Sequence, residues 1–287
     1  MNGRQIGLLG LAFAALAAAQ ATAPASRPVS GSFNGTATFG FQPNGPPPIT
    51  GASFSGDQVA ESVQILADGT RITRKLPGQN EKLFRDFAGR TRTERPMFAP
   101  PPAGIRNALG DAMVAVIYDP VAGFRYTLDN VNRVAHRQKV QPFVPPAGVN
   151  PKGPPVAPPS PAPVPPPSGD ARLRHTISTE SSGTQLINGV QAEGLKTIET
   201  IPAEAEGNDR PITIVSETWY SAELRMTVLT KRSDPRSADS TIQILNLSRV
   251  EPDPSLFMVP PDYSVVDETG PFTIKVSGST NPAQSIR

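Results

Sequence analysis

The sequence predicts an all-β protein with one short helix, built as a curved antiparallel meander sheet or half-open barrel with disordered Pro/Gly-rich segments. Three observations carry this expectation. Of 287 residues 34 are Pro and 24 Gly, one in five, which is hostile to long helices. Short stretches of alternating apolar and polar residues recur roughly every 8 to 12 residues. Tight-turn pairs such as Asp68-Gly69 and Asn188-Gly189 stand between them. Hydrophobic residues make up 37% and charged residues 18%, enough for a modest core and too apolar for a wholly disordered chain.

The first element is a leader. Arg4 precedes Ile6 to Ala19, a 14-residue run without a polar side chain, and Ala19-Gln20-Ala21 fits a small-residue cleavage pattern. The run is too short to cross a bilayer. Residues 1–21 therefore read as a signal peptide, which predicts a periplasmic or secreted product beginning near Thr22. With no Cys, neither a lipid anchor on sulfur nor a disulfide is available.

Residues 22–56 have no stable period and read as a disordered arm, whose Phe33, Phe39 and Phe41 are candidates for docking on a sheet. Residues 57–141 read as a first strand block. Val63–Ala67 and Thr70–Arg74 flank Asp68-Gly69, Leu83–Phe87 and Arg90–Glu94 flank Ala88-Gly89, and Met113–Tyr118 and Phe124–Leu128 flank Asp119–Gly123. In Phe124–Leu128 bulky and polar residues alternate, whereas Met113–Tyr118 is apolar on both faces. That strand needs a second cover: another sheet, the Phe-rich arm or an apolar ligand.

Residues 142–169 read as a Pro-rich tether or loop. There are 13 Pro between residues 142 and 168, which excludes helix interior and central strand. As a polyproline II rod it would reach roughly 80 Å. Residues 170–268 form a second block, with the Asn188-Gly189 hairpin, further strands near 212–220, 224–231 and 241–250, and a helical turn capped by Asp253 and started by Pro254. Residues 269–287 read as a tail. The first block carries 13 Lys/Arg against 9 Asp/Glu and the second 9 against 16. Opposite balances of +4 and −7 favour packing into the same sheet at short range.

Chemical motifs are sparse. Two His and no Cys leave no His/Cys ligand set of zinc type, and surface positions explain His136 and His175. Gly51-Ala-Ser53-Phe-Ser55 lacks the last Gly of a nucleophile elbow. Glu204, Glu206 and Asp209 around Gly207 would make at most a weak calcium loop, their spacing is not that of an EF-hand, and a solvated hairpin loop is the preferred reading. Arg71, Lys75, Arg85, Arg90 and Arg92 read either as a basic face or as a solvated one with partners such as Asp86 and Glu94. A pI near 9 without a basic run or recognition motif gives no support for nucleic acid.

Arg210–Tyr220, Val228–Pro235, Glu251–Phe257 through Tyr263, Leu66–Thr70, Arg85–Glu94 and Asp119–Leu128 together resemble a family of uncharacterised secreted bacterial proteins with no assigned chemistry. More distantly, strand pairs followed by Asp-Pro-Ser-Leu-Phe and Pro-x-x-Tyr are similar to periplasmic lipoprotein carriers. That resemblance implies an open half-barrel that shields an acyl chain. The sequence departs from it in lacking amphipathic lid helices.

The expected function is a non-enzymatic exported envelope protein binding an apolar ligand, a lipid or acyl chain, or a partner segment on a curved sheet. The alternative is a structural or interaction module working through the tether and the arm. Neither cofactor nor metal is expected, and the partner expected is a lipid or an envelope protein. Phe124, Tyr126, Trp219, Leu224, Met226 and Val228 are the candidates to line a hollow, and ordinary sheet core explains the same six.

Overall fold

The computed structural model describes residues 32–76, 80–98, 112–141 and 174–279. The signal peptide and the Pro-rich tether expected from the sequence lie outside these residues. The first half contains β1 (Ser32–Phe39), β2 (Phe54–Ile65), β3 (Arg71–Lys75), β4 (Glu81–Arg85), β5 (Thr91–Pro96), β6 (Met113–Asp119), β7 (Phe124–Asp129) and β8 (Val134–Lys139). The second contains β9 (Thr176–Ile187), β10 (Val190–Ile201), β11 (Ile212–Ser221), β12 (Met226–Ser233), β13 (Asp239–Ser248), a 3-10 turn at Pro254–Phe257, β14 (Ser264–Glu268) and β15 (Phe272–Ser279).

Thirteen strands form one sheet in the order β14-β8-β7-β6-β5-β4-β2-β13-β12-β11-β10-β9, with β3 branching off β2. All pairs are antiparallel except β14 with β8. The two strand blocks meet where β13 pairs β2, from Asp239 opposite Val63 to Leu245 opposite Asp57. The path ends at β14 and β9, so the sheet is not closed into a barrel. Turn chemistry sets its hairpins. Between β9 and β10, Asn188 (φ 48°) and Gly189 (φ 87°) both take the left-handed conformation that a tight primed turn demands. At the 3-10 turn, the Asp253 side chain accepts from the Ser255 N–H at 2.8 Å, and Pro254 occupies a position whose N–H would have no helical partner.

The sheet curls toward one face. Strands three steps apart are about 14 Å apart in a flat sheet. Yet the Asn188 amide, at the β9–β10 turn, donates to the Ile244 carbonyl on β13 at 2.6 Å. Likewise the Arg85 guanidinium on β4 donates to the Leu224 carbonyl in the β11–β12 turn. The curl closes over a cluster of Phe54, Val190, Ala192, Trp219, Leu224 and Val228. Gly194 is required there, because a Cβ on it would stand 2.8 Å from the Trp219 ring.

The other half of that face has a separate roof. β1 and β15 pair as a two-stranded ribbon from Phe39 opposite Phe272 to Ser32 opposite Ser279. Phe272, Ile274 and Val276 are buried against Val114, Met97 and Ala112, with Ala37 and Phe39 packed beside them. On the far face, Phe257, Leu256, Val259 and Tyr263 pack on Ala115, Ile117, Leu128 and Ala135. Met113–Tyr118 is therefore covered on both sides, by the ribbon and by the segment around the 3-10 turn.

Two expectations change here. The arm read as disordered over 22–56 supplies β1, and the tail 269–287 supplies β15. Each strand finds its partner some 240 residues away, so no local hairpin signal announces it. The Pro-rich stretch after β1 is pinned through acceptors, since Pro lacks an N–H. The Pro43 carbonyl accepts from the Gln141 N–H at 2.7 Å, and the Pro46 carbonyl accepts from the Tyr118 hydroxyl at 3.0 Å. Gly45 lets this loop lie on Tyr118, because a Cβ would overlap the ring.

Candidate functional site

The six residues expected to line a hollow fall into two groups. Trp219, Leu224 and Val228 are buried together, with Met226 half-buried beside them. They pack against one another, and the lining of the three cavities described below does not include them. Phe124 and Tyr126 stand elsewhere, on the far face of β7. The Arg137 guanidinium lies 5.0 Å from the Phe124 ring centroid, and Tyr126 packs at the margin of the Phe257 cluster. Alternation shows which residues of one strand share a face, but not which faces the curl brings together.

A cavity of about 430 Å³ lies between the ribbon and the sheet. Its floor comes from alternate residues of four neighbouring strands. Thr93 pairs with Val116 and Val116 with Thr127, so the three share a face, and Arg125 pairs with Gln138 on the same side. Tyr118, Thr127 and Gln138 are buried at its inner wall, whereas Thr38, Gly40, Gln42 and Pro46 of the arm are exposed at its mouth. Phe39 joins the roof and stacks on Phe272 with ring centroids 5.2 Å apart.

Two cations, Arg95 and Arg125, line this cavity, and among the described residues no carboxylate does. One Arg125 terminal nitrogen donates to the Gln42 side chain, and the guanidinium carbon lies 5.9 Å from the Tyr118 ring centroid. Its Nε is buried and has no hydrogen-bond partner among the described residues. Such an orphaned donor costs about 1–3 kcal/mol, more for a charged group. Burial holds the Arg125 guanidinium below its ordinary value while the Tyr118 phenol acts the other way. Burial in turn pushes the Tyr118 hydroxyl up, with Arg125 opposing. Arg95 stands 3.7 Å from Glu81, which does not line the cavity.

The remaining candidates are engaged in holding the structure. His136 is not at the surface, as its place near a strand end suggested. It is half-buried, bonded through Nδ1 to Glu268 at 2.8 Å and stacked on Phe272 at 4.3 Å, because β14 extends the sheet beside it and β15 lies over it. His175 meets Glu199 at 2.9 Å and Glu206 at 3.5 Å. Glu206 also takes Arg236 at 2.5 Å. No group of three His, Cys, Asp or Glu disposed to hold a metal ion occurs among the described residues. Nor does the basic face form as one surface. Arg90 and Arg92 pair with Asp86 and Glu94 at 2.5 and 2.7 Å. Arg85 is buried between the Ala52 and Leu224 carbonyls, where desolvation and then Arg225 lower its pKa to about 10.

Two smaller cavities carry both signs of charge. One of about 300 Å³ is lined by Glu217, Lys231, Arg232 and Asp239. The other, about 210 Å³, has Arg92 and Glu94 beside Tyr263. Among the described residues no helix is long and apolar enough to cross a membrane.

Neither a protein-family model nor a curated protein matches the chain. Several solved structures are similar at a low level. An uncharacterised conserved protein from Thermus thermophilus is 7% identical with a TM-score of 0.34, over 76% of this chain and 91% of that one. MucB is 12% identical with a TM-score of 0.27, over 75% of this chain and 60% of its own. A DUF1329 family protein from Desulfovibrio piger is 10% identical with a TM-score of 0.24, over 72% of this chain and 90% of that one. The fold described above rests on the strands themselves, and no activity passes from these neighbours to this chain.

Proposed function

We propose that this chain is a non-enzymatic, exported protein of the bacterial envelope that holds an amphipathic ligand, a lipid or acyl chain, against its curved sheet. The observation that carries the reading is the space left between the β1–β15 ribbon and the β5–β8 floor. At about 430 Å³ it falls within the size range of small-molecule pockets, roughly 300–1,000 Å³. Val116 and Phe39 give it apolar contact, and its mouth is formed by exposed residues of the arm. The leader-like run at Ile6 to Ala19 supports the envelope as the compartment.

The reading replaces the Trp219 cluster by the roofed cavity as the place of binding, since the cluster is filled by its own side chains. Isolation of the full chain from its native envelope, followed by mass spectrometry of the organic extract, tests it. A single lipid class recovered in near-stoichiometric amount is the expected result. Extracts no richer in lipid than those of an unrelated exported protein would overturn it.

A further inference from the structure

The charge around the roofed cavity is one-signed, whereas the other two cavities mix signs. Arg125 and Arg95 line it from β7 and β5. Thr91, Thr93 and Thr127 supply hydroxyls that can donate, and Gln138, 2% exposed, adds an amide at the back wall. Tyr118 is already committed to the Pro46 carbonyl. Arg125 is also partly committed, to Gln42, yet its buried Nε–H is left over. A neutral apolar ligand would leave that donor unpaired and the partly buried Arg125 guanidinium without a counter-charge, which is unfavourable, whereas Arg95 already has Glu81 at 3.7 Å and adds a second positive charge from the wall. An anion answers both needs of Arg125 at once, because charge-assisted hydrogen bonds to Arg are the strong ones and strengthen where water is excluded.

We infer that the cavity takes the anionic head of the ligand, a carboxylate or phosphate, with Arg125 as its principal donor and Arg95 as the second cation. The inference rests on the binding reading above and specifies the chemistry of its ligand. Phe39 and Val116 then accept the first carbons of the chain, and the exposed mouth leaves the rest of it free to run along the arm.

Titration calorimetry on the purified full chain with dodecanoate, dodecyl phosphate, dodecanol, acetate and inorganic phosphate separates the cases. Dodecanoate or dodecyl phosphate should bind at least tenfold more tightly than dodecanol, and acetate and inorganic phosphate far more weakly than either amphipath. Arg125→Gln should weaken binding of the anionic amphipaths by roughly ten- to a hundredfold, the effect of losing a hydrogen bond to a charged group, and leave dodecanol unchanged. Arg95→Gln should weaken it less and serves as the readout if Arg125→Gln loses its native circular dichroism. Lys139→Gln, at an exposed position on β8, is the control and should change nothing.

Equal affinity for dodecanol and dodecanoate would overturn the anionic head and leave the binding reading standing. Acetate or inorganic phosphate binding as tightly as the amphipaths would overturn the lipid source of the anion. Failure of every probe to bind would defeat the inference together with the reading it rests on.

Discussion

The floor formed by β5–β8 and the ribbon of β9 and β10 are made of the same backbone pairing, yet one is clad on both faces and the other on one at most. In β6, Val114 and Ile117 point to opposite sides and both are 0% exposed. In β9 every residue before Ile187 is exposed, Leu186 at 71% and Ile177 at 66%. The difference follows from composition. Met-Val-Ala-Val-Ile-Tyr of β6 cannot leave either face in water, and the chain supplies two covers from distant segments. Thr-Ile-Ser-Thr-Glu-Ser-Ser-Gly of β9 needs none, and it is held by its ladder to β10 and by cross-strand pairs such as Lys196 with Glu180 at 2.9 Å. Ion pairs at loops take up part of the task at this end. Arg236 bonds Asp234 of its own loop at 3.0 Å and Glu206 of the β10–β11 loop at 2.5 Å.

The contrast can be broken first in the floor. Ile117→Ala should cost about 2–5 kcal/mol in urea unfolding, because the segment around the 3-10 turn holds its place over the vacated volume. A loss under about 1 kcal/mol would mean that this cover is loose. Next comes the single clad face of β10, where Gly194→Val should cost about 1–3 kcal/mol and shift the emission of Trp219, the only tryptophan. An unmoved spectrum would show that the ring has room.

Strong acid should weaken the β9–β13 end. Hydrogen bonding from Arg236 lowers the Asp234 pKa from 3.8 to about 2, so the stability it contributes is present above pH 4 and lost as pH falls through about 2. Asp234→Asn should flatten that acid limb in pH-dependent amide exchange of residues 226–248. The smallest effect is expected on the open strand, where Ile177→Ser should change stability by no more than about 0.5 kcal/mol. A larger loss would reveal a cover on β9 that the contrast denies.

Most of the sheet was legible because its signals are local. Asp68-Gly69, Ala88-Gly89 and Asn188-Gly189 mark hairpins that form as read, and Asp253-Pro254 caps the one helical turn. The ribbon was not legible by that route, since its partners are separated by most of the chain. A signal was nevertheless present: Phe272-Thr-Ile-Lys-Val276 alternates strictly, and its apolar residues are the buried ones. The candidate site was the least legible part. Trp219, Leu224 and Val228 were recognised as apolar residues of a concave face, but only the curl shows that they fill it. Arg125 looked like an ordinary polar residue of an alternating strand. What sets it apart is a buried nitrogen without a partner among the described residues, a fact about neighbours that arrive from β1 and the loop after it.

The pairing of β1 with β15 also imposes an order in time. The β2–β8 portion of the large sheet has all its strands once residue 139 has emerged, and most of its pairings are between strands next to each other in the chain. The β1–β15 roof waits for residue 279, because among the described residues β1 has only β15 as a strand partner. Long-range pairing of this kind is slow to form even though the closure entropy grows only gently with loop length. A nascent molecule therefore passes through a stage in which Tyr118 and Arg125 stand open beneath an unpaired β1. Loss of residues 272–279 would hold the protein at that stage, taking away two strands of the structure by removing one.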